Sequence, residues 1–222
     1  MIQEKYKIDA YALKWIAMIC MTIDHTGSIL FPQYQWMRII GRLAFPIYCF
    51  LLVEGAMHTH NIRQYELKVL LLSIVSEVMF DLSLYQTIWY PGHQNVCFTL
   101  LLGLLMIDFL KRSKYTAYKV ITVVVAVLLG ELCMLDYGAG GILFIFCFYV
   151  FYQQAAKQQI GFILLNFLYF GSGIQIFAGL AAFPMFLYNQ KPGKKMKNLF
   201  YIYYPAHLLI LYLIKRIITG IE

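Results

Sequence analysis

Apolar residues fill this chain in long runs, broken at short intervals by polar and turn-forming residues. A helix that crosses a bilayer takes about 20 predominantly apolar residues, ~17 at the short end. Nine runs approach that length, at about 10–30, 38–57, 64–84, 95–110, 117–135, 139–153, 159–171, 173–189 and 198–218. The pattern predicts an all-α fold: a polytopic integral membrane helical bundle of about nine transmembrane helices. The seventh and eighth runs are short and share the break Gly171-Ser172-Gly173. They fit two short spans, a re-entrant hairpin or one long bent helix. The first run is too long for a signal peptide and lacks a small-residue cleavage site. No polar stretch exceeds about a dozen residues, so residues 1–222 read as a single membrane-embedded domain without a soluble one. No internal repeat is evident.

Composition strengthens this picture. The chain is 61% hydrophobic and 13% charged, whereas a soluble domain is nearer half apolar and a quarter charged. The net charge of +7 acquires meaning only when the charges are placed. Cytoplasmic loops of membrane proteins carry the excess of Lys and Arg. With a cytoplasmic N-terminus, the cytoplasmic segments hold Lys5, Lys7, Lys14, Arg63, Lys68, Lys111, Arg112, Lys114, Lys119, Lys157, Lys191, Lys194, Lys195 and Lys197, which is 14 of the 18 basic residues. The outer loops around 31–35, 85–94, 136–138 and 171–173 hold none. Merging the seventh and eighth runs would move the basic cluster 191–197 outside, so parity favours nine crossings. Lys215 and Arg216 are then the one violation. The expected location is the cell (plasma) membrane as a multi-pass protein, with the lipid bilayer as partner and no nucleic acid. Cys20, Cys49, Cys97, Cys133 and Cys147 are scattered singly. No Cys or His spacing suggests a metal or a disulfide framework, and they read as small packing residues.

Asp24 and His25 are the anomaly. They sit side by side in the apolar run LKWIAMICMTIDHTGSILF (13–31). An Asp near the centre of a transmembrane helix costs roughly 2.5–3.5 kcal/mol on insertion scales, and such groups usually face a protein interior or a water-filled cavity. Other polar residues fall at a similar depth. Arg38 and Arg42 are spaced i,i+4 on one face of the second helix, as are Glu77 and Asp81 on the third. Asn95, Thr99 and Gly103 share a face of the fourth. Asp136 follows the fifth, and His207 lies near the middle of the last, after Tyr203-Tyr204-Pro205. Together they predict a polar cavity that opens outward. Plain structural roles fit several of them equally. Arg38 and Arg42 with Glu77 and Asp81 fit ion pairs that lock helices, and His207 fits a satisfied buried histidine. His93 fits a solvated loop residue, and His58 and His60 fit interfacial ones. Neighbouring helical residues point about 100° apart. Asp24 therefore need not touch His25, and pairing with Arg38 or Arg42 would hold the first two helices together. Histidine is the usual general base near neutral pH. The chemistry indicated is proton abstraction from an amine or hydroxyl, and a proton relay also fits these residues.

Six segments taken in order carry a resemblance. They are LKWIAMICMTIDHTG (13–27), RIIGRLAFPIYCFLLVEG (38–55), SEVMFDL (76–82), NVCFTLLLGLL (95–105), DYGAGGIL (136–143) and YYPAHLLILYLI (203–214). The chain resembles the TraX family of polytopic membrane proteins, named for a conjugative-plasmid protein linked to N-terminal acetylation of pilin. It departs from the family pattern at His60, where an arginine is expected. The family in turn looks like a small branch of the transmembrane acyltransferases, which include sugar O-acetyltransferases and a lysosomal heparan-glucosaminide N-acetyltransferase. In those enzymes a first-helix histidine is catalytic, acetyl-CoA enters from the cytoplasm and the acceptor waits on the other side.

The resemblance implies a membrane-bound, acetyl-CoA-dependent N- or O-acetyltransferase with an acyltransferase-like domain and no metal. Acetyl-CoA is its co-substrate, and a peptide N-terminus, a processed secreted peptide or a cell-surface glycan is its acceptor. Carried over by position, His25 is the base or acyl-handling residue. Asp24 tunes or orients it, while Arg38 and Arg42 neutralise developing negative charge or hold the pantetheine-phosphate arm, their outer depth favouring the first role or acceptor binding. Glu77, Asp81, Asn95, Thr99, Tyr204 and His207 are candidates for substrate binding. The basic cytoplasmic face fits the phosphates of CoA, as it fits plain topology and anionic-lipid attraction. Gly41, Gly55 and Gly103 fit close helix packing. Two other classes stay open: a proton-coupled transporter, and a non-catalytic assembly factor of a conjugation or secretion apparatus.

Overall fold

A computed structural model describes residues 7–194 and 199–220. Lys5, Lys195, Lys197 and position 198, where the last run begins, lie outside the described residues. The described residues are all-helical, with two isolated β-bridges and no strand. Ten α-helices follow in order: α1 Ala10–Ile29, α2 Gln35–Gly41, α3 Ala44–His58, α4 Ile62–Tyr85, α5 Val96–Arg112, α6 Thr116–Leu132, α7 Gly138–Val150, α8 Ala155–Phe170, α9 Ala182–Phe186 and α10 Leu199–Thr219. A 3-10 helix, Ile174–Ala181, leads directly into α9. Each of the nine apolar runs corresponds to a helical element.

Two runs differ in detail from a single helix. The run 38–57 is broken between α2 and α3 at Arg42-Leu43, where the Leu43 N–H turns back to the Ile40 carbonyl at 3.2 Å. Pro46 explains the break: a proline has no N–H to give and its ring clashes with the carbonyl four residues earlier, here that of Arg42. The run 173–189 is a 3-10 helix and one short α-helix, folded back on α8, with the Asn166 side-chain amide donating to the Ile176 carbonyl at 3.0 Å. This excludes one long bent helix for 159–189.

Capping side chains set other boundaries. The Asp9 carboxylate accepts from Ala12 N–H at 2.8 Å to start α1. Asn61 does the same for Gln64 at 3.0 Å in α4, and Asn95 for Cys97 at 2.9 Å in α5. Such caps satisfy amides that have no partner within their own helix.

α3 is the centre of the bundle. Its residues from Ala44 to Val53 are all buried, packed against α1, α5 and α7. Phe144 and Phe148 of α7 close the core with Phe162 of α8. α4, α6, α8 and α10 lie around this centre and turn aliphatic faces outward, including Ile74, Val78, Val124, Leu128, Leu164, Leu168 and Ile217. Among the described residues, two helical stretches have the length and apolarity of a membrane span by themselves. They are Gln35–His58 (24 residues, mean hydropathy 1.6), which includes the break, and Leu199–Thr219 (21 residues, mean hydropathy 1.2).

The two ends of the bundle differ chemically. The segment after α9 runs beside the start of α1, with Ala10 N–H donating to the Lys191 carbonyl at 2.9 Å. Lys14 and Lys68 line a cavity at this end, and Lys111 donates to the Ala56 carbonyl at 3.0 Å. At the opposite end, the loop before α5 is joined to the loop before α7. Gln94 N–H donates to Met134 O at 3.0 Å and Asp136 N–H to Gln94 O at 3.0 Å.

Candidate active site

Asp24 is buried on α1, and both arginines of the second run face it. Arg38 Nη1 lies 2.6 Å from Asp24 Oδ2, and Arg42 Nη2 lies 2.8 Å from Oδ1 and 3.0 Å from Oδ2. The partner of Arg38 and Arg42 is thus Asp24, rather than Glu77 or Asp81. Gly41 makes the approach possible: a Cβ at this position would collide with the Asp24 carboxylate. Arg42 also donates to Tyr137 Oη at 3.4 Å and to Gln175 Oε1 at 3.3 Å, reaching the starts of α7 and the 3-10 helix. Two guanidiniums thus share one carboxylate, and a second carboxylate, Asp136, lines the same cavity.

His25 turns to a different partner. Its Nδ1 lies 2.7 Å from Nε2 of His207 on α10, and the two rings stack with centroids 5.0 Å apart. His207 Nδ1 lies 2.9 Å from the Tyr203 carbonyl. A carbonyl only accepts, so in a neutral His207 the proton is on Nδ1 and Nε2 is the acceptor. His25 Nδ1 must then donate, which places the free lone pair of a neutral His25 on Nε2. This nitrogen has no hydrogen bond to any described residue. The arrangement is an imidazole whose tautomer is set by a second group that is itself oriented, which is what a general base requires. The neighbouring chain is also ordered: Tyr203 Oη is hydrogen-bonded to Thr22 Oγ1 at 2.6 Å.

A cavity of about 110 Å³ lies beside these groups. Asp24, His25, Arg38, Arg42 and Tyr204 line it, and His207 braces His25 from the side. Glu77, Asp81, Asn95 and Thr99 do not line it; they frame it. Glu77 accepts from Asn95 N–H at 3.0 Å and Asn95 Nδ2 at 2.5 Å. Asp81 accepts from Tyr90 N–H at 2.8 Å, and the Thr99 hydroxyl donates to the Asp136 carbonyl. These bonds fasten α4 to the 86–95 loop and α5 to the loop before α7.

That frame brings in residues the sequence pattern had not marked. His93 is half-buried at the cavity, where the pattern suggested a solvated loop residue. Its Nε2 lies 3.4 Å from Asp136 Oδ1, and Tyr85 Oη is 2.7 Å from its Nδ1. The hydrogen bond to Asp136 outweighs partial burial and raises the His93 pKa. Tyr48, on α3, also lines the cavity. The one local signal for Tyr48 was a hydroxyl inside an otherwise apolar run. Of the cysteines, Cys133 is exposed and the other four are buried.

A second cavity, of about 470 Å³, opens at the basic end. Lys14, Lys68, Tyr65 and Gln64 supply its polar lining, and Leu51, Leu52 and Leu72 its apolar lining. Tyr48 lines this cavity as well as the first. Among the described residues no group of three or more His, Cys, Asp or Glu side chains is arranged to hold a metal ion.

Comparison with known proteins places the chain. The family model described as "TraX protein" matches residues 10–215. A relative described as probable fimbrial assembly protein FimC, serogroup H1, from Dichelobacter nodosus is 28% identical over 230 residues, covering 91% of this chain and 93% of the relative. An uncharacterized protein of Rickettsia prowazekii (strain Madrid E) is 58% identical over 38 residues, 17% of this chain and 15% of the relative. No solved structure matches.

Proposed function

The chain belongs to the TraX family, and we propose that it is a membrane-bound acetyltransferase that moves an acetyl group from acetyl-CoA to an amine or hydroxyl acceptor. The observation that carries this reading is His25, which lines a polar cavity with its Nδ1 held by His207. A base with an oriented tautomer suits removal of a proton from an incoming nucleophile. The likeness to transmembrane acyltransferases supplies the donor and the reaction type.

The outward aliphatic faces of α4, α6, α8 and α10 support a multi-pass membrane protein. Soluble monomers rarely expose contiguous apolar patches beyond a few hundred Å², whereas lipid covers such faces without cost. With the basic end cytoplasmic, the larger cavity opens toward acetyl-CoA and the smaller one toward the outer face. The residues of the larger cavity suit this donor: Lys14 and Lys68 would meet its phosphates as charge-assisted contacts, and the leucines would cover its pantetheine arm. His25 Nε2 takes the acceptor's proton, and His207 stabilises the imidazolium by accepting from Nδ1. Arg38 and Arg42 line the cavity and supply the positive charge that meets negative charge developing there. Glu77, Asp81, Asn95 and Thr99 hold the acceptor side in shape, with Tyr204 against the substrate.

A non-catalytic assembly role is the second reading, favoured by the name of the FimC relative. One experiment separates them. The purified protein and its His25→Ala variant are incubated with acetyl-CoA and candidate peptide or glycan acceptors, and products are read by mass spectrometry. The expected outcome is acetylated product with the native protein and none with a variant of unchanged melting temperature. Full activity in His25→Ala overturns the assignment of the base. Absence of acetyl transfer together with absence of thermal stabilisation by acetyl-CoA favours the assembly role.

A further inference from the structure

Tyr48 occupies a singular place in this bundle. It lies on the fully buried stretch of α3 and lines both cavities, one at the basic end and one beside His25. The residue is 7% exposed, and its hydroxyl has no hydrogen-bond partner among the described residues. Tyr204 is in the same condition. It is 1% exposed, its hydroxyl is unpartnered among the described residues, and it lines the His25 cavity with its ring edge-on to His25 at 6.1 Å. Buried hydroxyls normally find a partner, since leaving one unmade costs free energy. Both residues line the His25 cavity, and each carries a buried hydroxyl that has no partner among the described residues and can donate to an acceptor arriving with a ligand.

The arginines do not fill this role directly. Arg42 is committed to Asp24, Tyr137 and Gln175, and Arg38 to Asp24. They contribute charge, whereas the two tyrosines offer neutral O–H donors.

We infer that Tyr48 and Tyr204 are the hydrogen-bond donors to the acyl carbonyl oxygen, and that Tyr48 marks the point where the acyl group passes from one cavity to the other. The inference rests on the acetyltransferase reading. In the transfer, the acceptor nitrogen or oxygen forms a bond to the acyl carbon. His25 Nε2 takes the acceptor's proton, and the two hydroxyls stabilise the negative charge that gathers on the carbonyl oxygen. The carbon–sulfur bond then breaks, the electron pair leaves with sulfur as thiolate, and the proton on His25 passes to it. Acetyl-CoA and acceptor become acetylated acceptor and CoA, with no redox change.

The test uses the full-length protein in detergent or nanodiscs, with Tyr48→Phe and Tyr204→Phe. Each variant keeps the ring and removes only the hydroxyl. Loss of one such donor should lower kcat by about 10²-fold, with KM for acetyl-CoA unchanged within about threefold and thermal stabilisation by acetyl-CoA retained. The melting temperature without ligand should stay the same or rise, because the deleted hydroxyl has no partner to lose. A kcat within about threefold of the native value in both variants overturns the assignment while leaving the acetyltransferase reading intact. A clear fall in the ligand-free melting temperature also overturns it, since the hydroxyl then serves the fold. Absence of acetyl transfer by the native protein overturns both.

Discussion

His25 Nδ1 and His207 Nε2 lie 2.7 Å apart, although the two residues are 182 positions apart in the chain. One hydrogen bond between them, together with the Tyr203 carbonyl behind His207, decides which nitrogen of His25 is free to take a proton.

His207 should therefore matter for rate more than for binding. His207→Leu removes the acceptor that orients His25, and kcat should fall by about 10²-fold with little change in KM for acetyl-CoA. Steady-state kinetics on the purified variant check this. Equal loss of binding and turnover would point instead to a collapsed cavity.

Asp24 holds α1 to the arginines of α2 and of its junction with α3. Asp24→Asn leaves two guanidiniums facing each other in a largely buried place. Breaking a buried ion pair by removing one partner is strongly destabilising, here by about 3 kcal/mol. Denaturation of Asp24→Asn, of Arg38→Gln and of the double variant forms a cycle. The double variant should lose clearly less than the sum of the singles. Strict additivity would mean that the Asp24–Arg38 contact at 2.6 Å carries no coupling.

Gly41 is the backbone position on which the ion pair depends. Gly41→Ala puts a methyl group onto the Asp24 carboxylate, forcing α2 away from α1 at a cost of about 1–3 kcal/mol. Gly179→Ala is the control. Its nearest neighbour would be the Asn166 amide at 3.7 Å, an ordinary contact, so stability should change by less than about 0.5 kcal/mol. Melting temperatures of the two variants distinguish a local clash from a general intolerance of alanine.

His93 and Asp136 give the cavity rim a dependence on pH. The pKa of His93 is raised above its ordinary 6.5, chiefly by the hydrogen bond to Asp136. A raised folded pKa means that the folded state binds the proton more tightly than the unfolded state. The stabilisation is fully present below the unfolded value and is lost as pH rises through the folded one. The melting-temperature difference between native protein and His93→Gln should thus be larger at about pH 5.5 than at about pH 9. A difference that stays flat across that range would rule out the ion pair as a stabilising contact.

At the basic end, Lys14→Gln and Lys68→Gln should raise KM for acetyl-CoA by several-fold and leave kcat nearly unchanged. On the acetyltransferase reading, each variant removes one cavity-lining charge proposed to meet the donor's phosphates before the chemistry begins. Kinetics at low and high salt check it: the native KM should rise with salt, and that of the double variant should rise less.

The sequence by itself determined where helices form. Length and apolarity are local properties, and each of the nine runs became a helical element. Pro46 stood in the sequence as well, and its missing N–H accounts for the break between α2 and α3. Asp24 and His25 were legible as an anomaly because a carboxylate and an imidazole in an apolar run are expensive wherever the run is buried. Helix rotation and packing decided what these groups meet. Asp24 faces Arg38 and Arg42 rather than His25, and His25 faces His207 on the last helix. Glu77, Asp81, Asn95 and Thr99 share a depth with the cavity but turn their polar atoms to loops and caps. Tyr48 looked like one more aromatic in a buried helix until the two cavities it lines were formed. Spacing along a helix says which residues share a face. Only the packed bundle says what that face is turned toward, because this depends on contacts between segments far apart in the chain.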